Sequence, residues 1–192
     1  MQDKIRLTLI YGSARPGRRC DHVADWTAAE IARHGGFALE RLDPADPDIA
    51  KAINDHDREA GPALKSRIGA SDAYIVVTPE YNRSFPAPLK AVIDSASAEW
   101  RAKPVAFVSY GGISGGLRAV EHLRGVFAEL HAVGIRDGVS FANVWNQFDE
   151  SGNLRDAQGA RQALDKTLIH LSWWARTLNN GRQAEAYGEI AA

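Results

Sequence analysis

IRLTLIYGSARPGRR, residues 5–19, decides how this chain is read. Ile5, Leu7, Leu9 and Tyr11 alternate within a nearly uncharged run, and β-branched Ile and Thr favour a pleated surface, so the run reads as a buried strand. It stops at Gly12-Ser13 and passes through the turn pair Pro16-Gly17. A helical pattern follows, with Val23, Trp26, Thr27 and Ile31 spaced three or four apart. Strand, short polar loop and helix start bring backbone N–H groups and the positive end of a helix dipole to one spot, where an anion is the natural occupant.

The loop's composition narrows that anion. Gly12 to Gly17 has the spacing of a nucleotide-triphosphate loop, but Arg18-Arg19 stands where Lys and a hydroxyl residue are needed, so magnesium has no ligand. No G-x-G-x-x-G follows the strand, which weakens a dinucleotide pyrophosphate. Ser13, Arg15 and Arg18 offer a hydroxyl and guanidinium forks that suit a single terminal phosphate. The plainer alternative is a solvated β–α loop with incidental arginines.

Length and charge set the frame. The 192 residues are expected to form one domain, residues 1–192, and a formal net charge of −1 leaves no basic stripe for nucleic acid. One cysteine, Cys20, excludes an intramolecular disulfide, and a lone thiol at a helix start reads as packing. Without a leader-like N-terminus or a long apolar run, the expectation is a cytoplasmic chain with no membrane partner.

Downstream, Phe37 to Leu42 reads as a second strand ended by Asp43-Pro44 and Asp46-Pro47. Asp48 to Ile68 is polar, with helical fragments around Ile49/Ile53 and Leu64/Ile68 and an interruption at Gly61-Pro62. Tyr74-Ile75-Val76-Val77 is an apolar strand of the kind covered on both faces. It leads into Thr78-Pro79-Glu80-Tyr81-Asn82-Arg83-Ser84 and a helix with Leu89, Val92, Ile93, Ala96 and Trp100 on one face. Pro104 to Ser109 is a fourth strand, opening into Tyr110-Gly111-Gly112-Ile113-Ser114-Gly115-Gly116. Its helix carries Ala119, Leu123, Val126, Leu130 and Val133; a fifth strand runs from about Gly138 to Val144. A last helix, about Ala157 to Asn179, turns Leu164, Leu168, Leu171, Ala175 and Leu178 inward and Trp173 outward. Alternating strands and helices predict an α/β, doubly wound, five-stranded parallel sheet of flavodoxin-like order 2-1-3-4-5. The loops after strands one, three and four then meet near the switch point.

Together these loops suggest a ligand. Tyr81 can flank a planar ring, and Asn82 and Ser84 can bind hydroxyls; the alternative is a packed Tyr81 and an Asx turn at Asn82. Gly111 to Gly116 admits close approach of a flat ligand, or is a helix start that needs positive φ. Phosphate, polyol and planar ring in line have the outline of FMN. The histidines at 22, 34, 56, 122, 131 and 170 are scattered and lack metal-ligand spacing.

GSARPGR, TPEYNRSFPAPLKAVID and SYGGISGG resemble the NADPH-dependent FMN reductase family, over roughly residues 5 to 180. The resemblance implies a flavodoxin-like fold, FMN as cofactor and NADPH (or NADH) as co-substrate. It implies Ser13, Arg15 and Arg18 on the FMN phosphate, and Pro79, Glu80, Tyr81 and Asn82 along the ribityl chain and one side of the ring, with Ser84 a further contact. Ser109, Tyr110, Gly111 and Gly112 border the pyrimidine end, with Ser114 nearby. Homodimers or homotetramers are implied, with the Leu89–Ile93 helix in the interface and Trp100 and Trp173 as contributors. At Arg18 and Cys20 the chain departs from a more usual hydroxyl and small polar residue.

The activity so implied is hydride transfer from NADPH to FMN N5, then two electrons to a quinone, azo compound, flavin or metal oxyanion. The cofactor performs the chemistry, so no catalytic acid or base side chain and no metal is expected. Arg83 is a candidate for a nicotinamide-nucleotide phosphate. A flavodoxin-type electron carrier is the alternative, disfavoured by the near-neutral charge. A phosphoester- or nucleotide-binding hydrolase on the same scaffold is a third reading, for which Ser13 has no nearby His in sequence.

Overall fold

The computed structural model describes residues 4–55 and 60–188. Five parallel strands lie in the order β2-β1-β3-β4-β5: β1 Ile5–Tyr11, β2 Phe37–Leu42, β3 Ala73–Pro79, β4 Pro104–Tyr110 and β5 Val133–Phe141. β3 and β4 are buried at all seven positions, as strands covered on both faces must be. The registers Tyr11↔Val77, Pro79↔Tyr110 and Tyr110↔Phe141 bring the C-terminal ends of the strands to one edge.

Strand alternation divides the core in two. Leu7, Leu9, Ile75, Val77, Ala106 and Val108 face α1 (Cys20–His34) and α6 (Gln158–Ala184). Ile10, Tyr74, Val76, Val105 and Phe107 face the helices of the other layer: α2 (Pro47–Asn54), α3 (Ala60–Ala70), α4 (Ala87–Asp94) and α5 (Leu117–Glu129). The chain leaves β1 toward one side and β3 toward the other, which opens a crevice at their C-terminal ends.

Some boundaries differ from the sequence reading. Gly61-Pro62 does not interrupt the 48–68 segment but sits in the first turn of α3, where proline displaces no helical hydrogen bond. Val133 begins β5 rather than ending α5: His131 at φ 57 reverses the chain, and Val133 N–H donates to Lys103 O. Leu89, Val92, Ile93 and Trp100 are each fully buried in the chain's own core, so they present no surface to another copy. Trp173 does point outward, 59% exposed, whereas Leu178 is only half-buried. His56 lies outside the described residues. No helix among the described residues is long and apolar enough to cross a membrane.

Candidate functional site

The loops after β1, β3 and β4 enclose a cleft of about 340 Å³ at the C-terminal edge of the sheet. Arg15, Pro16, Gly17, Arg18 and Arg19 form one wall; Pro79, Glu80, Tyr81, Tyr110, Gly111 and Gly112 form the floor and second wall; Val144 and Trp145 close the end.

The first loop is pinned from below. Gly12 N–H donates to Val77 O at 2.7 Å, and a Cβ at residue 12 would lie 2.6 Å from that oxygen. Only glycine lets β1 and β3 approach this closely. Ser13 is fully buried, its Oγ 3.2 Å from the Tyr81 hydroxyl, which ties the first loop to the second. Arg18, with a side chain 8% exposed, donates to Asp43 Oδ1 at 2.7 Å and to Asp21 Oδ1 at 2.8 Å, and also bonds the Ser13 carbonyl. Hydrogen bonding to Asp43 raises its pKa against the opposing effect of burial, so it stays charged. Arg18 therefore braces the loop with a guanidinium already balanced by two carboxylates. Arg15 and Arg19 have no carboxylate partner among the described residues; Arg15 lies over the Tyr81 ring at 5.3 Å. Arg19 is the N-cap of α1, which has no side-chain cap, so the positive end of that helix adjoins the wall that Arg18 and Arg19 form.

The second loop is a tight hairpin. Tyr81 N–H donates to Ser84 O and Ser84 N–H to Tyr81 O, with Asn82 at φ 48 and Arg83 at φ 67 between them. Positive φ at both central residues is a type I′ turn, which asparagine tolerates and arginine does not favour. The hairpin presents Tyr81 to the cleft and leaves Asn82 and Arg83 exposed at its tip. Glu80 turns sideways: Ser114 Oγ–H donates to it at 2.6 Å and Arg118 Nη1 at 2.9 Å. Burial pushes the Glu80 carboxyl up, and these bonds with the Arg118 N–H outweigh it, so the pKa falls below the usual value. The Glu80 carboxylate, paired with Arg118, clamps the second loop to the third.

In the third loop the glycines divide the work. A Cβ at Gly116 (φ 84) would lie 2.8 Å from Tyr110 N, and one at Gly115 (φ 60) would strike Ser140, so these two serve the turn into α5. Gly111 and Gly112 line the cleft; a Cβ at Gly112 would meet only Trp145, at 4.0 Å. Tyr110 is 4% exposed, and its buried hydroxyl faces the Cys20 thiol rather than the cleft. Burial pushes the neighbouring Cys20 thiol up to about 11, which makes it inert packing rather than a nucleophile.

Of the residues expected at a ligand, Arg15, Arg18, Pro79, Glu80, Tyr81, Tyr110, Gly111 and Gly112 line the cleft. Ser13, Asn82, Ser84, Ser109 and Ser114 are not among the lining residues. Ser84 Oγ lies 3.0 Å from His122 Nδ1, and Ser109 Oγ–H donates to Gly115 O at 2.8 Å. Sequence reasoning passed over Arg19, Val144 and Trp145. The aromatic after strand five was the available signal, since that strand ends on the same edge of the sheet.

Residues 5–146 match the family model described as NADPH-dependent FMN reductase. An NAD(P)H-dependent FMN reductase of Pseudomonas aeruginosa is 36% identical over 193 residues, covering 93% of this chain and 99% of that protein. A probable NADPH:quinone oxidoreductase of rice (Oryza sativa subsp. japonica) is 36% identical over 162 residues, 81% of this chain and 74% of that one. An NAD(P)H-dependent FMN reductase of Schizosaccharomyces pombe is 33% identical over 120 residues, 58% of this chain and 60% of its own length. Among solved structures, an NADH:FMN oxidoreductase in its apo form superposes with a TM-score of 0.71 at 18% identity, over 88% of this chain and 90% of that one. A Streptococcus flavodoxin superposes at 0.57 and 14% identity, over 88% and 98%, so the fold is flavodoxin-like. With its glycine-floored cleft at the switch point, this chain belongs to the NADPH-dependent FMN reductase family.

Proposed function

We propose that this chain is an FMN-dependent NAD(P)H oxidoreductase that reduces a small acceptor such as a quinone. The observation that carries the reading is the meeting of three loops in one cleft with a cationic end and a glycine floor. Arg15, Arg19 and the uncapped start of α1 suit a terminal phosphate. The Glu80 charge, which would repel that phosphate, is held by Arg118 and Ser114. The bare backbone at Gly112, where a Cβ would meet only Trp145 at 4.0 Å, leaves a flat ring room for close approach. FMN, when bound, supplies the hydride and two-electron chemistry.

The chain's own residues bind and shape. Ser13 and Tyr81 hold the first two loops together, Arg18 keeps the phosphate loop rigid, and Trp145 with Val144 walls off the far end. Arg83, exposed at the hairpin tip, is the candidate to receive the phosphate of an incoming nicotinamide nucleotide. The acceptor assignment leans on the rice relative's name and on exposed apolar side chains: Trp145 in the cleft wall, Ile113 on the third loop and Leu117 at the start of α5, each more than half exposed. Such apolar surface favours a flat organic acceptor over a hydrated oxyanion.

The test is direct. Chain purified without added flavin is expected to carry, or take up, one yellow chromophore per molecule that NADPH bleaches anaerobically. Fast bleaching by NADPH alone identifies an enzyme; bleaching only through a partner reductase identifies an electron carrier. A colourless chain that never takes up FMN overturns the reading.

A further inference from the structure

The opposite end of the sheet holds a second cavity, of about 300 Å³. It opens beside the first residues of β4 and β5, while the cleft lies at their last. A seven-residue strand puts roughly 20 Å between the two. Its walls are Ala102, Val133, Leu178 and Tyr187, with the Arg182 side chain and His131 set among them.

Arg182, in the last turn of α6, is half-buried, and its guanidinium bonds only neutral acceptors, the Ala102 carbonyl and Asn179 Oδ1. No carboxylate lies within ion-pair distance of it among the described residues. A guanidinium has five N–H donors, so capping the Ala102 carbonyl leaves most of them unused. Lys103, 6% exposed, adds a second cation close by, donating to Gly69 O at 2.7 Å. The acid that faces both, Asp72, is already held by Arg6 through two side-chain bonds of 2.9 and 3.2 Å. Glu185 stands at the mouth, exposed and without an ion pair. Cations drawn out of water without a matching carboxylate are unfavourable until an anion joins them.

We propose that this cavity binds a small amphipathic carboxylate. Its apolar body lies against Val133 and Leu178, and its carboxylate takes the free donors of Arg182. The site is separate from the cofactor cleft and does not depend on the activity proposed above.

The experiment titrates the full chain with benzoate and with its neutral analogue benzamide, read by calorimetry and by ligand-observed NMR. Benzoate is expected to bind at one saturable site about tenfold or more tightly than benzamide, as a charge-assisted contact requires. Added FMN leaves that binding unchanged, Arg182→Leu weakens it about tenfold, and Leu178→Trp, which fills the cavity and keeps Arg182, blocks it. If Arg182→Leu does not fold, Leu178→Trp decides. Equal binding of benzamide, displacement of benzoate by FMN, unchanged binding in the variants, or no saturation at millimolar benzoate overturns the proposal.

Discussion

Arg18 and Asp43 form a two-pronged ion pair that ties the phosphate-type loop to the end of β2, Nη1 lying 2.7 Å from Asp43 Oδ1. The pair relates two segments 25 positions apart in the chain. Because Asp21 contacts the same guanidinium, Arg18 contributes rigidity where a free arginine would contribute charge.

Arg18→Ala is therefore expected to lower stability by about 2 kcal/mol, since it leaves Asp43 and the Ser13 carbonyl without their partner. Arg15→Ala and Arg19→Ala are expected to leave the melting temperature within about a degree while weakening FMN binding about tenfold each. Denaturant melts and flavin fluorescence titrations separate the two kinds of effect. Equal losses of stability in all three variants would contradict the division of roles.

Glu80 gives a pH dependence in the acid range. Its folded-state pKa lies below the ordinary value of 4.5, so the unfolded chain binds the proton more readily. The stabilisation is complete above 4.5 and fades as pH falls through the lower folded value. Wild type is expected to lose more melting temperature between neutral pH and pH values below the ordinary glutamate range than Glu80→Gln does. Parallel curves for the two proteins would show that the Ser114 and Arg118 bonds do not select the charged carboxylate.

Lys103 works in the opposite range. Burial, reinforced by the Arg182 charge, pushes its pKa from 10.5 down to about 8. Between those values the folded chain has released a proton that the unfolded chain still binds, so stability rises with pH across that window. The rise is on the order of 3 kcal/mol, and Lys103→Met is expected to abolish it. Urea melts at stepped alkaline pH measure the slope directly.

Arg83 occupies a left-handed backbone position that arginine disfavours by about 1 kcal/mol. Arg83→Gly is expected to raise stability by about that amount, seen as a higher denaturation midpoint. If its charge receives the nicotinamide-nucleotide phosphate, the same variant raises KM for NADPH more than for NADH. Stability and coenzyme affinity then move in opposite senses, a pattern that a purely structural turn residue does not produce.

Much of the fold was legible because it rests on local pattern. The apolar run of β3, the alternation in β1 and the turn residues after each strand specify a parallel α/β sheet without long-range information. Where two local signals competed, the boundary was lost. Val133 continues the helical spacing of α5 but is β-branched, and pairing with Pro104 in β4 decides for the strand. The same limit hid the clamps: nothing in the spelling of Glu80, Ser114 and Arg118 says that they meet.

The order of local elements, the glycines required for close approach and the family motifs were fixed by residue type alone, since steric and hydrophobic preferences act over a few neighbours. Which arginine keeps its charge free was decided only in three dimensions. Arg15, Arg18 and Arg19 are alike as letters, but folding brings Asp43 to Arg18 and no carboxylate among the described residues to the other two. A charge is available to a ligand only when the fold supplies no counter-charge, and that depends on residues distant in sequence.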